Sequence, residues 1–383
     1  MVIQLPFVWA SLLFVTGISL GHFFPSRIYL FLLLALLASV FVIRGKAKDY
    51  LILGAWLLLG CVRVNCSFST EDGHSDGWSS AIMAKAKETN LILKQRLYKS
   101  EMESEPAAIA SALLLGDKSA LTKSTKKKFA SVGASHLLAL SGMHLGILYG
   151  MLHLLFVRII KTKPWKWHCL PLILLCIWGY VWMAGMPVSL VRAGVMYSFV
   201  SVAVLWNTNT PSLHTLSMSA LLILMAAPAE LFSVSFQLSF AATFFILFFY
   251  DATLPMIMWA GRGFRPMLRL LAVSLTAQMG TAPLVAYYFH NFPLIGLPAG
   301  MLLVPLTSVI IYGCVVLLFL PSQMLGVAVG SMLDLETWIM EKCGELPFAS
   351  IQDLYPKPWQ LIIIYTLLIA FGLRKKQANQ NWN

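Results

Sequence analysis

The sequence predicts an all-α protein, a polytopic bundle of about 9 to 11 transmembrane helices. Of its 383 residues, 58% are hydrophobic and only 11% are charged, whereas a soluble domain carries roughly 25% charged residues. Apolar runs close to the roughly 20 residues that span a bilayer recur from end to end. Backbone polar groups must be satisfied within the chain in lipid, so these runs are predicted to be helices.

The predicted elements are these apolar runs, and each is a candidate membrane span. The first run is preceded by neither Lys nor Arg, which argues against a cleaved signal peptide. In chain order the candidates are Leu5–Phe24, Ile28–Ile43, Tyr50–Val62, His136–Ile160, Cys169–Ala184, Val188–Trp206, Leu213–Ala227, Gln237–Met258, Leu270–Phe289, Leu294–Leu320 and Trp359–Leu373.

Short basic loops predict the orientation, because Lys and Arg are enriched on the cytoplasmic side. If all the basic clusters are cytoplasmic, both termini are cytoplasmic and the spans alternate consistently up to Phe289. After Phe289 the number of predicted spans is wrong by one for this orientation. Either Leu294–Leu320 is a bent or re-entrant pair, or Met324–Met340 crosses despite Asp334 and Glu336. The clusters are Arg44–Lys48, Lys161–Lys166, Gly261–Arg265 and Arg374–Lys376.

This orientation places residues 63–135 outside, although Lys85–Lys128 contains ten basic and five acidic residues. This excess of positive charge outside is opposite to the usual enrichment of Lys and Arg on the cytoplasmic side. It indicates either an amphipathic face in contact with water or anionic lipid, or electrostatic capture of a polyanion. The capture candidates are Lys118, Lys123, Lys126, Lys127 and Lys128.

A helix opening at His136 is predicted to have two unlike faces. Gly142, Gly146 and Gly150 follow the spacing that lets a neighbouring helix approach closely. Ser141 and His144 lie on the other side, and His136 is intermediate. These polar groups either form an inter-helix hydrogen bond, line a translocation path, or perform chemistry. Hydrolysis is disfavoured because no distinct oxyanion element is visible, so no catalytic residue is assigned.

Two further polar residues occur in or beside apolar runs. Arg192 is the charged residue of Val188–Trp206, and a charge there is costly unless it faces the bundle interior, water or a partner. It either snorkels to the outer interface or contacts a phosphate in a pore. Gln237 begins a span, where it either bonds across helices or contacts a base. With His136, Ser141 and His144, these two are the candidates to line a path.

Cofactors and energy sources are not predicted. No Cys/His cluster has metal-ligand spacing, and no phosphate-binding loop of the Gly-x-x-x-x-Gly-Lys-[Ser/Thr] type occurs. The chain is therefore expected to bind no metal or cofactor and not to be an enzyme, and any energy for movement is expected to come from a partner.

Four blocks in order resemble the ComEC-type competence family, the inner-membrane channels of bacterial DNA uptake. The resemblance runs from about Ala107 to Leu373. Its blocks are Leu114–Asp117, Phe129, Gly133, His136–Ala139, Ser141, Gly142, His144 and Gly146; then Pro187, Ser189, Arg192, Ala193 and Met196; then Phe236–Phe240; then Pro283, Tyr287–Phe289 and Pro305.

The chain departs from this family in three places. Gly300 stands where an Asn is expected. Only Phe68–Pro106 fills the place of a soluble OB-like domain, and it has an amphipathic helical pattern. No His-x-His-x-Asp-His pattern of a metallo-β-lactamase-like domain occurs. The expected organisation is N-terminal helices (residues 1–67), a short extracytoplasmic segment (68–106), the channel core (107–373) and a basic cytoplasmic tail (374–383).

The resemblance implies a multi-pass protein of the bacterial inner membrane that carries single-stranded DNA into the cytoplasm during natural transformation. It also implies partners: membrane lipid, an outer DNA receptor, a cytoplasmic helicase or motor, and a separate nuclease. The residues leave open a small-molecule or ion transporter, an intramembrane serine hydrolase, and a structural scaffold in which the polar blocks only pack.

Overall fold

The computed structural model describes residues 6–24, 29, 32–33, 54–63, 77–99, 102–134, 137–138, 140–158, 165–205, 212–259, 261, 263–346 and 350–380. Nearly all of them are helical, which confirms the all-α class. His136 and most of the candidate span Ile28–Ile43 lie outside these ranges.

The described part of the chain contains fifteen α-helices. They are α1 (Pro6–Phe23), α2 (Gly54–Arg63), α3 (Gly77–Tyr98), α4 (Ser104–Leu115), α5 (Lys123–Ser131), α6 (Gly142–His153, extended by a π-helix at Leu154–Arg158), α7 (Trp165–Met183), α8 (Val188–Leu205), α9 (Ser212–Ala226), α10 (Val234–Phe249), α11 (Leu254–Trp259), α12 (Arg265–Phe289), α13 (Gly296–Phe319), α14 (Gln323–Gly344) and α15 (Pro358–Gln380). Two 3-10 turns, Pro228–Phe232 and Tyr250–Thr253, flank α10.

Three of the described helices are long and apolar enough to cross a membrane. They are Val234–Thr253, Arg265–Phe289 and Gly296–Phe319, and eight shorter apolar helices accompany them. The structure thus agrees with a helical membrane protein that has many apolar helices, but it does not give the predicted number of 9 to 11 spans. One of the short ones, α4, was absent from the predicted spans.

The described chain forms two compact units, residues 1–79 with 202–240, and residues 80–201 with 241–383. In the first unit α1 crosses α2 at glycines: a methyl group on Gly17 or Gly60 would collide with the backbone of the other helix. The hydroxyl of Ser11 donates to the carbonyl of Ser217 at 2.9 Å and ties α1 to α9.

Arg63 caps the carboxyl end of α9 in this unit. Its Nε and Nη2 donate to the carbonyls of Met225 and Ala226 at 2.8 and 3.0 Å. The last carbonyls of a helix have no intrahelical partner and carry a partial negative charge, so a guanidinium stabilises this end.

The second unit is organised around α4. All ten residues from Pro106 to Leu115 are buried. A 12-residue helix is about 18 Å long, too short to span a bilayer, and being apolar on all sides it is stable only inside a protein. It packs against α13 and α14, and the same core includes residues of α6, α7 and α8.

Helices α13 and α14 form an antiparallel hairpin. Gly313 faces Val329, and Thr307 faces Glu336, so residue numbers rise on one helix as they fall on the other. Helix α13 is continuous through Pro305. The bent or re-entrant pair is therefore not observed. Residues 324–340 instead form a second helix that returns along α13.

Because α14 runs back along α13, the segments after α12 and after α14 meet and form a short sheet. Asn291–Pro293 (β1), after α12, pairs antiparallel with Ser350–Gln352 (β2), after α14, with Phe292 opposite Ile351. The sheet fixes the end of α12 beside the end of α14.

Candidate functional site

Ser141 and His144 lie together at the start of α6. Ser141 is the N-cap residue, with extended backbone, and its Oγ is 3.0 Å from Nδ1 of His144. His144 is 1% exposed. The helix thus begins at Gly142, and the expectation that it opens at His136 is wrong. The chain instead turns beforehand, where the N–H of Leu137 donates to the carbonyl of Ala134 at 2.8 Å.

Helix α8 packs against this start of α6. The hydroxyl of Ser189 donates to the carbonyl of Leu140 at 2.5 Å. A Cβ on Gly142 would lie 3.4 Å from that of Ala193. The segment that precedes α6 and the first turn of α6 therefore both rest on α8.

The glycines of α6 differ in what surrounds them. A methyl group on Gly146 would collide with the hydroxyl of Tyr197 on α8, whereas no described atom lies within 4 Å of one on Gly150. The close approach predicted for a three-glycine stripe is thus observed at Gly142 and Gly146, and is not observed at Gly150. Tyr197 also stacks on Tyr149 with ring centroids 4.9 Å apart.

Arg192 is a buried residue of the same helix, α8. It is 1% exposed, so its guanidinium does not reach the protein surface and the snorkelling alternative does not describe it. In the chain it lies between Ser189 and Ala193, two residues of α8 that meet Leu140 and Gly142. A charge buried in this way is costly unless it is paired and hydrogen-bonded.

Arg192, His144 and Ser141 carry groups that can bind an anion. A guanidinium, an imidazole and a hydroxyl can all donate hydrogen bonds to phosphate oxygens, and guanidinium does so in a planar, two-pronged geometry. The described part of the chain contains no group of three or more His, Cys, Asp or Glu side chains that could hold a metal ion. A serine next to a histidine also needs preorganised oxyanion donors before it can act as a nucleophile.

Gly116 and Asp117 connect the Leu140–Gly142 segment to α3. Gly116 ends α4 in the left-handed conformation, with φ at 76°, and a methyl group there would lie 2.6 Å from the Leu140 side chain. Asp117 accepts hydrogen bonds from Lys94 and from the backbone of Ser119. Burial of the carboxyl opposes its ionisation, but these donors outweigh it and lower the pKa of Asp117 to about 2.

Two residues that support the site were not identified from the sequence. Asn90 on α3 donates to the carbonyls of Leu115 and Met183, both at 3.1 Å, and joins the ends of α4 and α7. The hydroxyl of Tyr180 donates to the carbonyl of Leu114 at 2.8 Å. An asparagine inside a predicted helix was the available signal for Asn90.

The outer lysines differ in environment. Helix α5 buries Thr125 and Phe129 and is capped by Thr122, which accepts the N–H of Thr125 at 3.0 Å. Lys128 is half-buried, with its Nζ 2.9 Å from Glu341. The exposed lysines are Lys118, before the helix, and Lys123, Lys126 and Lys127 on it. We call the last three the lysine face.

Gln237 belongs to the other compact unit, near the start of α10. Its side-chain amide donates to the carbonyl of Leu231 at 3.2 Å. The structure thus gives Gln237 a local partner at the turn that precedes its helix, and it is described apart from Ser141, His144 and Arg192.

The model of the competence protein family matches residues 113–377. The chain belongs to this family. The match begins near the end of α4 and includes Ser141, His144, Arg192 and the lysine face, while α1 and α2 precede it.

Curated relatives agree with this assignment. ComE operon protein 3 of Bacillus subtilis is 29% identical over 72% of the chain and 35% of its own length. Recombination protein 2 of Haemophilus influenzae is 26% identical over 51% of the chain and 26% of its length. The uncharacterized protein YcaI of Escherichia coli is 25% identical over 66% of the chain and 33% of its length. The chain spans about a third or less of these relatives, and no solved structure matches it.

Proposed function

We propose that the chain forms an inner-membrane channel that carries single-stranded DNA into the cytoplasm during natural transformation. The observation that carries this proposal is that the competence family matches the residues that build the site. The buried guanidinium of Arg192 lies on α8, the helix whose Ser189 and Ala193 meet the start of α6, and it is the kind of donor that suits a phosphate passing between helices. The chain itself performs no bond cleavage in this proposal.

The proposed orientation places the lysine face outside. If the basic loop at Gly261–Arg265 is cytoplasmic, α12 ends outside, together with the β1–β2 sheet. The ion pair between Lys128 and Glu341 lies close to the end of α14, which leads into β2. Helix α5 therefore shares this outer end, and α15 returns the chain to a cytoplasmic tail.

Partners complete the proposal. An outer DNA receptor delivers the strand, a cytoplasmic helicase or motor pulls it, and a separate nuclease degrades the other strand. Membrane lipid surrounds the helices. A motor is required because the sequence contains no phosphate-binding loop of the type that binds nucleoside triphosphates.

The proposal is tested in a transformable strain from which this chain has been deleted. We expect labelled DNA to bind the cell surface normally but not to reach the cytoplasm, and expression of the chain from a plasmid to restore import. Normal internalisation in the deletion strain, with no second homologue present, would contradict the proposal. Loss of a small solute's uptake with DNA import intact would favour the transporter alternative.

The lysine face gives a separate prediction about binding. Replacing Lys126 and Lys127 by glutamine should reduce the slope of log affinity against log salt by about 1.4, because each single-strand phosphate contact contributes about 0.7. The measurement is binding of labelled oligonucleotides by the purified chain at several salt concentrations.

A matched control removes two exposed charges from the proposed cytoplasmic end, through Arg269→Gln and Arg374→Gln, and should leave the slope unchanged. An unchanged slope in the double lysine variant, with weaker binding to anionic vesicles, would show that these lysines contact lipid instead.

A further inference from the structure

A carboxyl group is enclosed between α13 and α14, away from the Arg192 site. Glu336 and Thr307 are both 0% exposed. Oε1 of Glu336 contacts Oγ1 of Thr307, and that same Oγ1 lies 2.8 Å from the carbonyl of Leu303. Among the described residues, Oε2 of Glu336 has no hydrogen-bond partner.

Thr307 cannot donate a hydrogen bond to both of its oxygen neighbours at once. A hydroxyl has one hydrogen and faces two oxygen acceptors here. If Thr307 donates to Leu303, its contact with Glu336 needs a proton on the carboxyl group. If Glu336 is ionised, Thr307 turns its hydrogen to the carboxylate, and the Leu303 carbonyl keeps its backbone partner in the helix. Rotation of one hydroxyl thus accommodates both protonation states.

Among the described residues, no cation is recorded in contact with Glu336. From α13, Thr307 contacts it, and the other titratable group nearby is the buried thiol of Cys314. Among the charged groups of the other packed helices, Lys128 of α5 pairs with Glu341 at 2.9 Å, and Glu105 of α4 accepts the hydroxyl of Thr125 at 2.6 Å.

On α14 itself, Asp334 is exposed and interacts with Glu103 and Glu105. A buried carboxylate without a counter-charge is strongly disfavoured relative to the acid.

We propose that Glu336 is a proton-binding site of the α13–α14 hairpin, with Thr307 as its switchable hydrogen-bond partner. On release, the O–H bond of the carboxylic acid breaks and the proton passes to water. The hydroxyl hydrogen of Thr307 turns from the Leu303 carbonyl to Oε1. On uptake, both changes reverse. This site goes beyond the proposed passage of DNA and does not depend on it, because proton binding can be measured without DNA.

The test is infrared spectroscopy of the purified full chain as pH is raised, with circular dichroism to confirm that it stays folded. We expect a carbonyl band of a buried carboxylic acid that disappears reversibly at higher pH. The band should be missing in Glu336→Gln and retained in Glu341→Gln, which removes an exposed carboxyl. In Thr307→Val the band should persist to higher pH, because the ionised form loses its donor.

Three outcomes would overturn the proposal. Absence of such a band at every pH at which the protein is folded would mean that Glu336 stays ionised. A band unchanged until the protein unfolds would mean a permanently neutral structural group. Loss of the band at constant pH when sodium chloride replaces potassium chloride would identify a sodium ion as the ligand. If Glu336→Gln does not fold, isotope-labelled glutamate in the wild type and in Thr307→Val identifies the band.

Discussion

Replacing Arg192 by alanine is expected to reduce import of single-stranded DNA by roughly 10- to 100-fold. This corresponds to the loss of a charge-assisted hydrogen bond, about 1.5–3 kcal/mol. Arg192 is buried on α8, which packs on the start of α6, so in the proposed path its loss removes the strongest anion donor. The measurement is internalised label in the deletion strain that carries each variant, normalised to the amount of protein in the membrane.

Two companion variants separate charge from fold. Arg192→Lys keeps the charge but loses the planar fork, so import should fall less than in Arg192→Ala. Arg269→Ala removes an exposed arginine and should import normally. Full import by Arg192→Ala at a normal protein level would show that the guanidinium has no part in the path.

Replacing Gly146 by alanine should destabilise the protein by about 1–3 kcal/mol, the usual cost of overpacking. The new methyl group would collide with the hydroxyl of Tyr197, because α8 approaches α6 at this position. Thermal unfolding in detergent measures the effect. Tyr197→Phe removes the colliding oxygen, so the double variant should recover much of the loss.

Gly150→Ala is the matched control, since no described atom lies within 4 Å of its added methyl group. Alanine is the better helix former, so this variant should be as stable as the wild type or more so. Equal destabilisation by Gly146→Ala and Gly150→Ala, or no recovery with Tyr197→Phe, would contradict the packing of α8 on α6.

Hydrophobic patterning was sufficient to predict the helical class, because apolar runs in lipid have few structural solutions. A helix is also observed in the segment predicted before the core, as α3. Helix α4 was missed because its twelve residues are too few for a span, and the sequence alone does not reveal that neighbours bury ten of them.

Local contacts of the site were easier to predict than its long-range ones. Ser141 and His144 are three residues apart, and their proximity follows from the chain whether or not the helix begins at His136. The contacts that Asn90 makes with Leu115 and Met183 join residues 25 and 93 positions apart, which no spacing rule predicts. The sequence likewise marked Glu336 as an obstacle to crossing, whereas the structure gives it a partner in Thr307.

The most direct test of the DNA path is photocrosslinking to a strand in transit. A photoreactive amino acid at Met196, one turn after Arg192 on the same side of α8, should crosslink to labelled single-stranded DNA arrested during import. The same amino acid at Leu175 on α7, which is 70% exposed, is the control and should not crosslink. Crosslinks at neither position, or equally at both, would contradict passage of the strand beside Arg192.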